Sequence, residues 1–274
     1  MVKKANLFLA AVIVILTASA CTVDLFGLFG SSDMSARWKA RDTFNFVQAR
    51  DSLNLGDSYS FIVVSDTHIE SDADVQKLSG LKNVIAADPS IMFVVVTGDI
   101  TQNGARDDVK RFIDVAHTFG VPCYPVAGNH DVYFGNYSVW KELIGSTCYK
   151  IAADTATLLI MDSANGHFGK EQLEWLENEL KASVGKRTFI FTHSNLFVKS
   201  IFDWMQFSDS RERAKIVSML KGRCDGMFMG HLHKRVVTIA GGVEYLSIED
   251  MKVSRAYCLV KVTPQGVTWE IKKL

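Results

Sequence analysis

The sequence predicts an α/β fold of two packed, mixed β-sheets flanked by helices. Between residues 61 and 127, β-branched apolar runs alternate with stretches of helical spacing, and this β-α-β-α-β order requires right-handed parallel crossovers. From Arg235 onward the chain reads as nearly all β, with Gly241-Gly242 and Pro264-Gln265-Gly266 as turn signals, which supplies a second sheet to pack on the first. At 274 residues the chain has length enough for one large core, and it contains no repeat array or low-complexity segment.

The elements follow in order. Phe61-Ile62-Val63-Val64-Ser65 is a buried-strand run ending in Asp66-Thr67-His68. Val75, Leu78, Leu81, Val84 and Ile85 then recur at helical spacing over residues 72–87, and Asp88-Pro89 stops that helix. A second buried strand, 92–97, runs into Gly98-Asp99. Residues 105–119 form a helix with Val109, Phe112, Ile113 and Ala116 on one face and Gly120 as its stop. A third strand, 121–127, leads to Gly128-Asn129-His130-Asp131. Paired strands are expected at 147–151 and 157–161, a helix at 170–182, a buried strand at 187–192, and a helix at 211–220 followed by a strand at 226–229. The closing strands are 236–240, 243–248, 256–262 and 267–271.

The amino terminus reads differently. Met1-Val2-Lys3-Lys4 is basic, residues 7–16 are almost wholly apolar, and Ala18-Ser19-Ala20 are the small residues of a cleavage site, so 1–20 is expected to be a secretory signal peptide. The apolar stretch is shorter than the about 20 residues a spanning helix needs. Cys21 directly after that site resembles the lipobox cysteine of bacterial lipoproteins, which implies export and anchoring to the membrane of the cell envelope through an acylated Cys21. Ala18 stands where that signal usually has Leu, so ordinary signal-peptidase cleavage is the alternative, and fatty-acid labelling of the mature protein separates the two. Residues 21–60 read as a tether and an adapting segment, in which 37–50 suits an edge strand or a short helix. Cys123, Cys148, Cys224 and Cys258 could pair in an oxidising compartment, but the apolar, β-like surroundings of Cys123, Cys148 and Cys258 favour buried thiols. Thirty basic and thirty acidic side chains cancel, which gives no reason to expect nucleic acid as a partner.

The chemistry concentrates at strand ends. Asp66 and His68, Asp99, Asn129 and His130, His193, and His231 and His233 each follow an apolar run. One such residue would mean little, because a lone buried His is usually structural. Five strand ends carrying carboxylate, amide and imidazole groups are costly to bury unless a cation compensates them. A thiolate-free set of this kind suits Mn²⁺, Fe or Zn²⁺, and its size exceeds the needs of one ion. Two divalent ions about 3.5–4 Å apart can share a carboxylate, and Asp99 is the natural bridge.

Asp66-x-His68, Gly98-Asp99, Gly128-Asn129-His130-Asp131, His193 and Gly230-His231-x-His233 resemble, in order and spacing, the full signature of the calcineurin-like metallophosphoesterases. The resemblance covers roughly Phe61 to the C-terminus, including a middle helix at Glu171 to Leu176. It implies that 61–274 is a metallophosphoesterase domain with the four-layer α/β/β/α sandwich. Matched position by position, Asp66, His68 and His233 would hold one metal, Asn129, His193 and His231 the other, and Asp99 would bridge them. His130 would be the catalytic group facing the scissile phosphate, with bridging hydroxide as nucleophile. Gly98-Asp99-Ile100-Thr101-Gln102-Asn103-Gly104 lacks the second Asp and the Arg of the protein-phosphatase branch and resembles the cyclic-nucleotide phosphodiesterase branch. A small-molecule phosphodiester, nucleotide or related, is the expected substrate. The alternatives are a broad phosphomonoesterase acting on nucleotide, sugar or lipid phosphates, and a non-catalytic surface lipoprotein used for binding. Two further segments are weighed as substrate contacts: His167 in its glycine-bounded loop, and the aromatic segment 195–208, which suits a cap over the site or a satellite core. His117 is expected on a helix surface.

Overall fold

The computed structural model describes residues 33–41, 52–133, 135–197, 207 and 209–274. The expected signal peptide, Cys21 and Trp204 lie outside the described residues. The chain opens on α1 (Met34–Lys39) and β1 (Ser52–Leu53). The repeating unit follows as β2 (Tyr59–Val64), α2 (Asp72–Ser79), α3 (Leu81–Ala87), β3 (Ile91–Val96), α4 (Arg106–His117), β4 (Cys123–Pro125), α5 (Asn129–Val132) and α6 (Tyr137–Leu143). The second half comprises β5 (Tyr149–Ala153), β6 (Ala156–Ile160), α7 (Gly169–Ala182), β7 (Arg187–Phe191), α8 (Ser210–Leu220) and β8 (Gly226–Met229). It closes with β9 (Val236–Ala240), β10 (Val243–Ser247), α9 (Met251–Ser254), β11 (Ala256–Thr263) and β12 (Gly266–Lys273).

The strands form a five-stranded sheet in the order β12-β11-β2-β3-β4 and a seven-stranded sheet in the order β1-β5-β6-β7-β8-β10-β9. β2, β3 and β4 run parallel, as do β6, β7, β8 and β10, and β1 with β5; β11 pairs antiparallel to β2 and β12, β5 to β6, and β9 to β10. Both sheets are therefore mixed, as expected. Period-2 alternation sends Phe61, Val63, Phe93 and Val95 to the inner face of one sheet, where they meet Leu158, Phe189, Phe191 and Phe228 of the other. Phe61 is central: it stacks on Phe93 at 4.7 Å and meets the Phe189 ring edge-on at 5.2 Å. The opposite faces bury the helices. Leu78, Leu81, Val109, Phe112 and Trp140 cover the five-stranded sheet, and Leu173, Leu176, Ile216 and Leu220 cover the seven-stranded one. The result is the expected four-layer sandwich.

Some local expectations are corrected. The helix predicted over 72–87 is two helices, α2 and α3, separated at Gly80. A side chain there would put Cβ 3.0 Å from Leu274 Cδ1, so glycine gives room for the C-terminal residue to pack. Three short helices, α5, α6 and α9, are not foreshadowed in the sequence, and α9 interrupts the all-β reading of the C-terminal region. The tether and adapting segment contributes a short helix and an edge strand to the fold: α1 packs Trp38 against Trp175 of α7 with ring centroids 6.1 Å apart, and β1 extends the seven-stranded sheet beside β5. Cys123, Cys148, Cys224 and Cys258 are all unpaired thiols, the first two and Cys258 buried.

Candidate active site

Parallel strands of both sheets end at the same edge of the sandwich. β2 delivers Asp66 and His68, β3 delivers Asp99, β4 delivers Asn129 and His130, β7 delivers His193, and β8 delivers His231 and His233. The backbone of this edge is unusual. Asp66, His68, Asp99, His231 and His233 all have positive φ, between 42° and 70°. Non-glycine residues rarely adopt that left-handed region, and its clustering marks a site where geometry outweighs local preference. Cross-strand hydrogen bonds hold it: Asp66 N donates to Gly98 O (3.1 Å), His68 N to Asp99 O (2.9 Å), and Gly230 N to His193 O (2.9 Å).

Close approach of the loops depends on glycines. A Cβ on Gly98 would lie 2.7 Å from His193 Cβ and closer still to the ring, and one on Gly128 would lie 2.9 Å from Asp99 Cα and closer to its nitrogen and Oδ1. A Cβ on Gly230 would lie 2.7 Å from Asp66 Oδ2 and closer to Ser65 Oγ.

All seven expected ligands and His130 come together. Asp66, His68 and His233 form one group, Asp99, His193 and His231 a second, and His68, Asp99 and His130 a third that overlaps both; within each group the ligand atoms lie within 4.8 Å of one another. Asp66 Oδ1 is 3.3 Å from His233 Nε2, which is 3.3 Å from His68 Nε2. His193 Nε2 is 3.2 Å from Asp99 Oδ2, 3.1 Å from Asn129 Oδ1 and 3.1 Å from His231 Nδ1. His193 Nδ1 lies 2.9 Å from Thr97 O, and a carbonyl only accepts, so that nitrogen carries the proton. Nε2 is thereby turned toward Asp99 Oδ2, Asn129 Oδ1 and His231 Nδ1. A divalent cation satisfies such a convergence, and the residues present fit one.

The electrostatics express the same demand for positive charge. Burial works against ionisation of Asp99, but the charge and hydrogen bond of His193 outweigh it and hold the carboxyl well below its ordinary range. Burial likewise opposes protonation of His193, yet Asp99 and Asp66 push its pKa up to about 9. His231, buried beside that charge, is pushed down to about 4. Burial lowers His68, whereas the hydrogen bond to Asp66 raises the half-exposed His233.

His130 stands apart in its bonding. Its backbone N donates to Asp99 Oδ1 (2.9 Å), its Nδ1 lies 2.6 Å from Gln102 O, and its ring meets that of His68 edge-on at 4.7 Å. The Gln102 carbonyl fixes the proton on Nδ1 and the orientation of the ring.

Several residues that hold the site were not singled out from sequence. Asp131 accepts from Ile100 N, Thr101 N, Thr101 Oγ1 and Gly128 N, tying the Asp99 loop to the Asn129 turn, and burial followed by the Asp99 charge raises it to about 6. Its place in the Gly128-Asn129-His130-Asp131 motif was the available signal. Lys252 of α9 donates from Nζ to His68 O (3.2 Å), and Met251 N donates to Ser65 O (2.8 Å), so the C-terminal region braces the first ligand loop. Neither His167 nor His117 joins the cluster, and 198–206 and 208 of the aromatic segment lie outside the described residues. His167 Nδ1 lies 3.1 Å from Asn165 O, and His117 is exposed at the end of α4. Of the aromatic segment, Leu196 and Phe207 are core residues and Phe197 packs on Tyr245.

Residues 59–235, more than half of the chain, match the model of the calcineurin-like phosphoesterase family. The chain belongs to that family. As a calcineurin-like phosphoesterase it is a metal-dependent phosphoester hydrolase. It is 26% identical over 201 residues to a protein named probable glycerophosphodiester phosphodiesterase GpdQ from Arcobacter nitrofigilis, covering 65% of this chain and 73% of the relative. It is 25% identical over 207 residues to the 3',5'-cyclic adenosine monophosphate phosphodiesterase CpdA of Vibrio vulnificus, covering 69% and 75%. Among solved structures, a dimetal phosphatase from Danio rerio shares the fold with a TM-score of 0.63 at 15% identity, over 78% of this chain and 96% of that one. GAP50, described as the anchor in the inner membrane complex of Plasmodium, shares it with a TM-score of 0.62 at 11% identity, over 79% and 85%.

Proposed function

We propose that this phosphoesterase is a two-metal phosphodiesterase acting on a small-molecule diester, a nucleotide or a related compound. Asp66, His68 and His233 would hold one ion, Asn129, His193 and His231 the other, with Asp99 between them. Bound there, two divalent cations supply Lewis acidity at phosphoryl oxygens and make water at the site more acidic. The observation that carries the diester reading is the loop after Asp99. Gln102 and Asn103 stand where the protein-phosphatase branch has its second acid and its Arg, and the loop is folded inward by Thr101, which bonds Asp131 (3.0 Å) and accepts from Gly104 N (2.9 Å). Relatives named as phosphodiesterases support the same reading.

His130 is the proton donor in this scheme. With Nδ1 committed to Gln102, the protonated ring donates from Nε2 to the leaving oxygen. His130→Asn is expected to lower kcat by about 10²–10⁴-fold, the usual contribution of a positioned acid, with metal content unchanged. Loss of a metal equivalent in that variant, measured by elemental analysis, would make His130 a ligand instead.

Substrate class is tested on purified protein stripped of metal and reloaded with Mn²⁺, with bis-p-nitrophenyl phosphate beside p-nitrophenyl phosphate and a nucleotide panel. Hydrolysis of the diester in preference to the monoester is expected. A preference for the monoester selects the broad phosphatase, and inactivity on every substrate with both ions bound selects a binding role.

A further inference from the structure

The N-terminal helix α1 is tied to the candidate site. Arg37 of α1 is fully buried, yet it lies well before residue 59, where the family match begins. Its guanidinium forks onto Asp162, with Nε 2.6 Å from Oδ2 and Nη2 2.9 Å from Oδ1, and Nη2 also donates to Asn165 Oδ1 at 2.5 Å. Two branches leave this node. Asp162 precedes Ser163, whose Oγ accepts from His193 N (3.2 Å), Ser194 N (2.8 Å) and Thr192 Oγ1 (2.6 Å). Asn165 Nδ2 donates to Tyr133 Oη (3.1 Å), which donates to Ala164 O (3.0 Å), and Tyr133 N closes the α5 turn on Asn129 O (3.0 Å). The branches end at His193 and at Asn129, two of the three residues assigned to the second ion.

A buried arginine is costly to desolvate, and burying it in an ion pair is seldom the most stabilising choice at such a position. Its planar fork has another use, which is to fix the relative orientation of the groups it binds. We propose that Arg37 is a positioning residue that sets the His193 and Asn129 loops at the second ion's site, making α1 part of the catalytic unit. The proposal rests on the two-ion reading for its metal readout only.

The test uses full-length protein carrying Arg37→Met together with Asp162→Leu, because removing both charges at once leaves neither one buried alone. In the metal-free state, amide exchange followed by mass spectrometry is expected to speed up in peptides covering 128–133 and 192–195, with the inter-sheet core around Phe61 unchanged. On titration with Mn²⁺, one equivalent is expected to bind about 10–100-fold more weakly, the usual cost of losing an outer support, while the other keeps its affinity. A folded double variant with wild-type exchange in both peptides overturns the proposal. Accelerated exchange in a protein whose wild type binds no Mn²⁺ upholds the positioning role and overturns the two-ion reading. If the double variant does not fold, Asn165→Ala cuts one branch alone. Faster exchange limited to 128–133 then supports the proposal, and wild-type exchange there overturns it.

Discussion

Asp99→Asn is expected to lower kcat/KM about a thousandfold and to lower the metal content of the proposed two-ion site by at least one equivalent. Asparagine is the informative replacement because it tolerates the left-handed backbone that Asp99 adopts, with φ of 47°, and nearly matches its shape. What it removes is charge. Asp99 is buried, with Oδ1 accepting from His130 N and Oδ2 3.2 Å from His193 Nε2 and 3.8 Å from His68 Nε2, so it contacts residues assigned to both ions and the proposed acid. Cation stabilisation of a reacting phosphoryl group is worth several kcal/mol, and at 1.36 kcal/mol per decade a loss of roughly 4 kcal/mol gives the thousandfold figure. The metal-free variant is expected to be less stable than wild type near neutral pH, because the depressed Asp99 carboxylate pairs with His193 and its loss leaves that buried imidazolium without this partner. Steady-state kinetics, elemental analysis and thermal unfolding of both proteins check this. A variant within tenfold of wild type whose metal content is unchanged would remove Asp99 from the bridging place proposed for it.

The strand ends were legible because the signal for a buried strand and the signal for a ligand lie next to each other. An uninterrupted run such as Phe61 to Val64 can only be interior, and a carboxylate or imidazole directly after it must be paid for by a partner. The convergence of five such ends needed the chain order as well, since parallel crossovers place their C-terminal ends on one edge. Other features leave no local trace. The positive φ of Asp66, His68, His231 and His233 arises from tertiary packing, because nothing in those residue types demands it. The break at Gly80 has no counterpart in the helical spacing over 72–87, and the residue packed over it, Leu274, lies at the far end of the chain. Arg37 opens a stretch of mixed charges and aromatics that suits an edge strand or a short helix and carries no readable function. Its partner Asp162 is 125 residues away, a separation no periodicity spans.

Gly128→Ala is expected to lower activity about a hundredfold while leaving the protein folded, and the reason is space alone. Gly128 has φ of −99° and ψ of 175°, an extended conformation open to any residue, so the substitution strains no backbone dihedral. The added methyl would instead press on Asp99 itself, 2.9 Å from its Cα and closer to its nitrogen and Oδ1. Backbone must move, and the groups that move are the central carboxylate and the Asn129-His130 turn, which Gly128 N also tethers to Asp131 Oδ2 at 3.0 Å. Overpacking of this kind costs about 1–3 kcal/mol of stability, and a displacement of about 1 Å in reacting groups costs about 10²-fold in rate. Gly226→Ala is the matched control: it lies in a strand of the other sheet, and its Cβ would meet the Phe228 ring at an ordinary 3.4 Å. The control is expected to keep near wild-type kcat and Mn²⁺ stoichiometry. Equal losses in both variants would mean that added bulk in the sandwich, and no specific contact with Asp99, sets the rate.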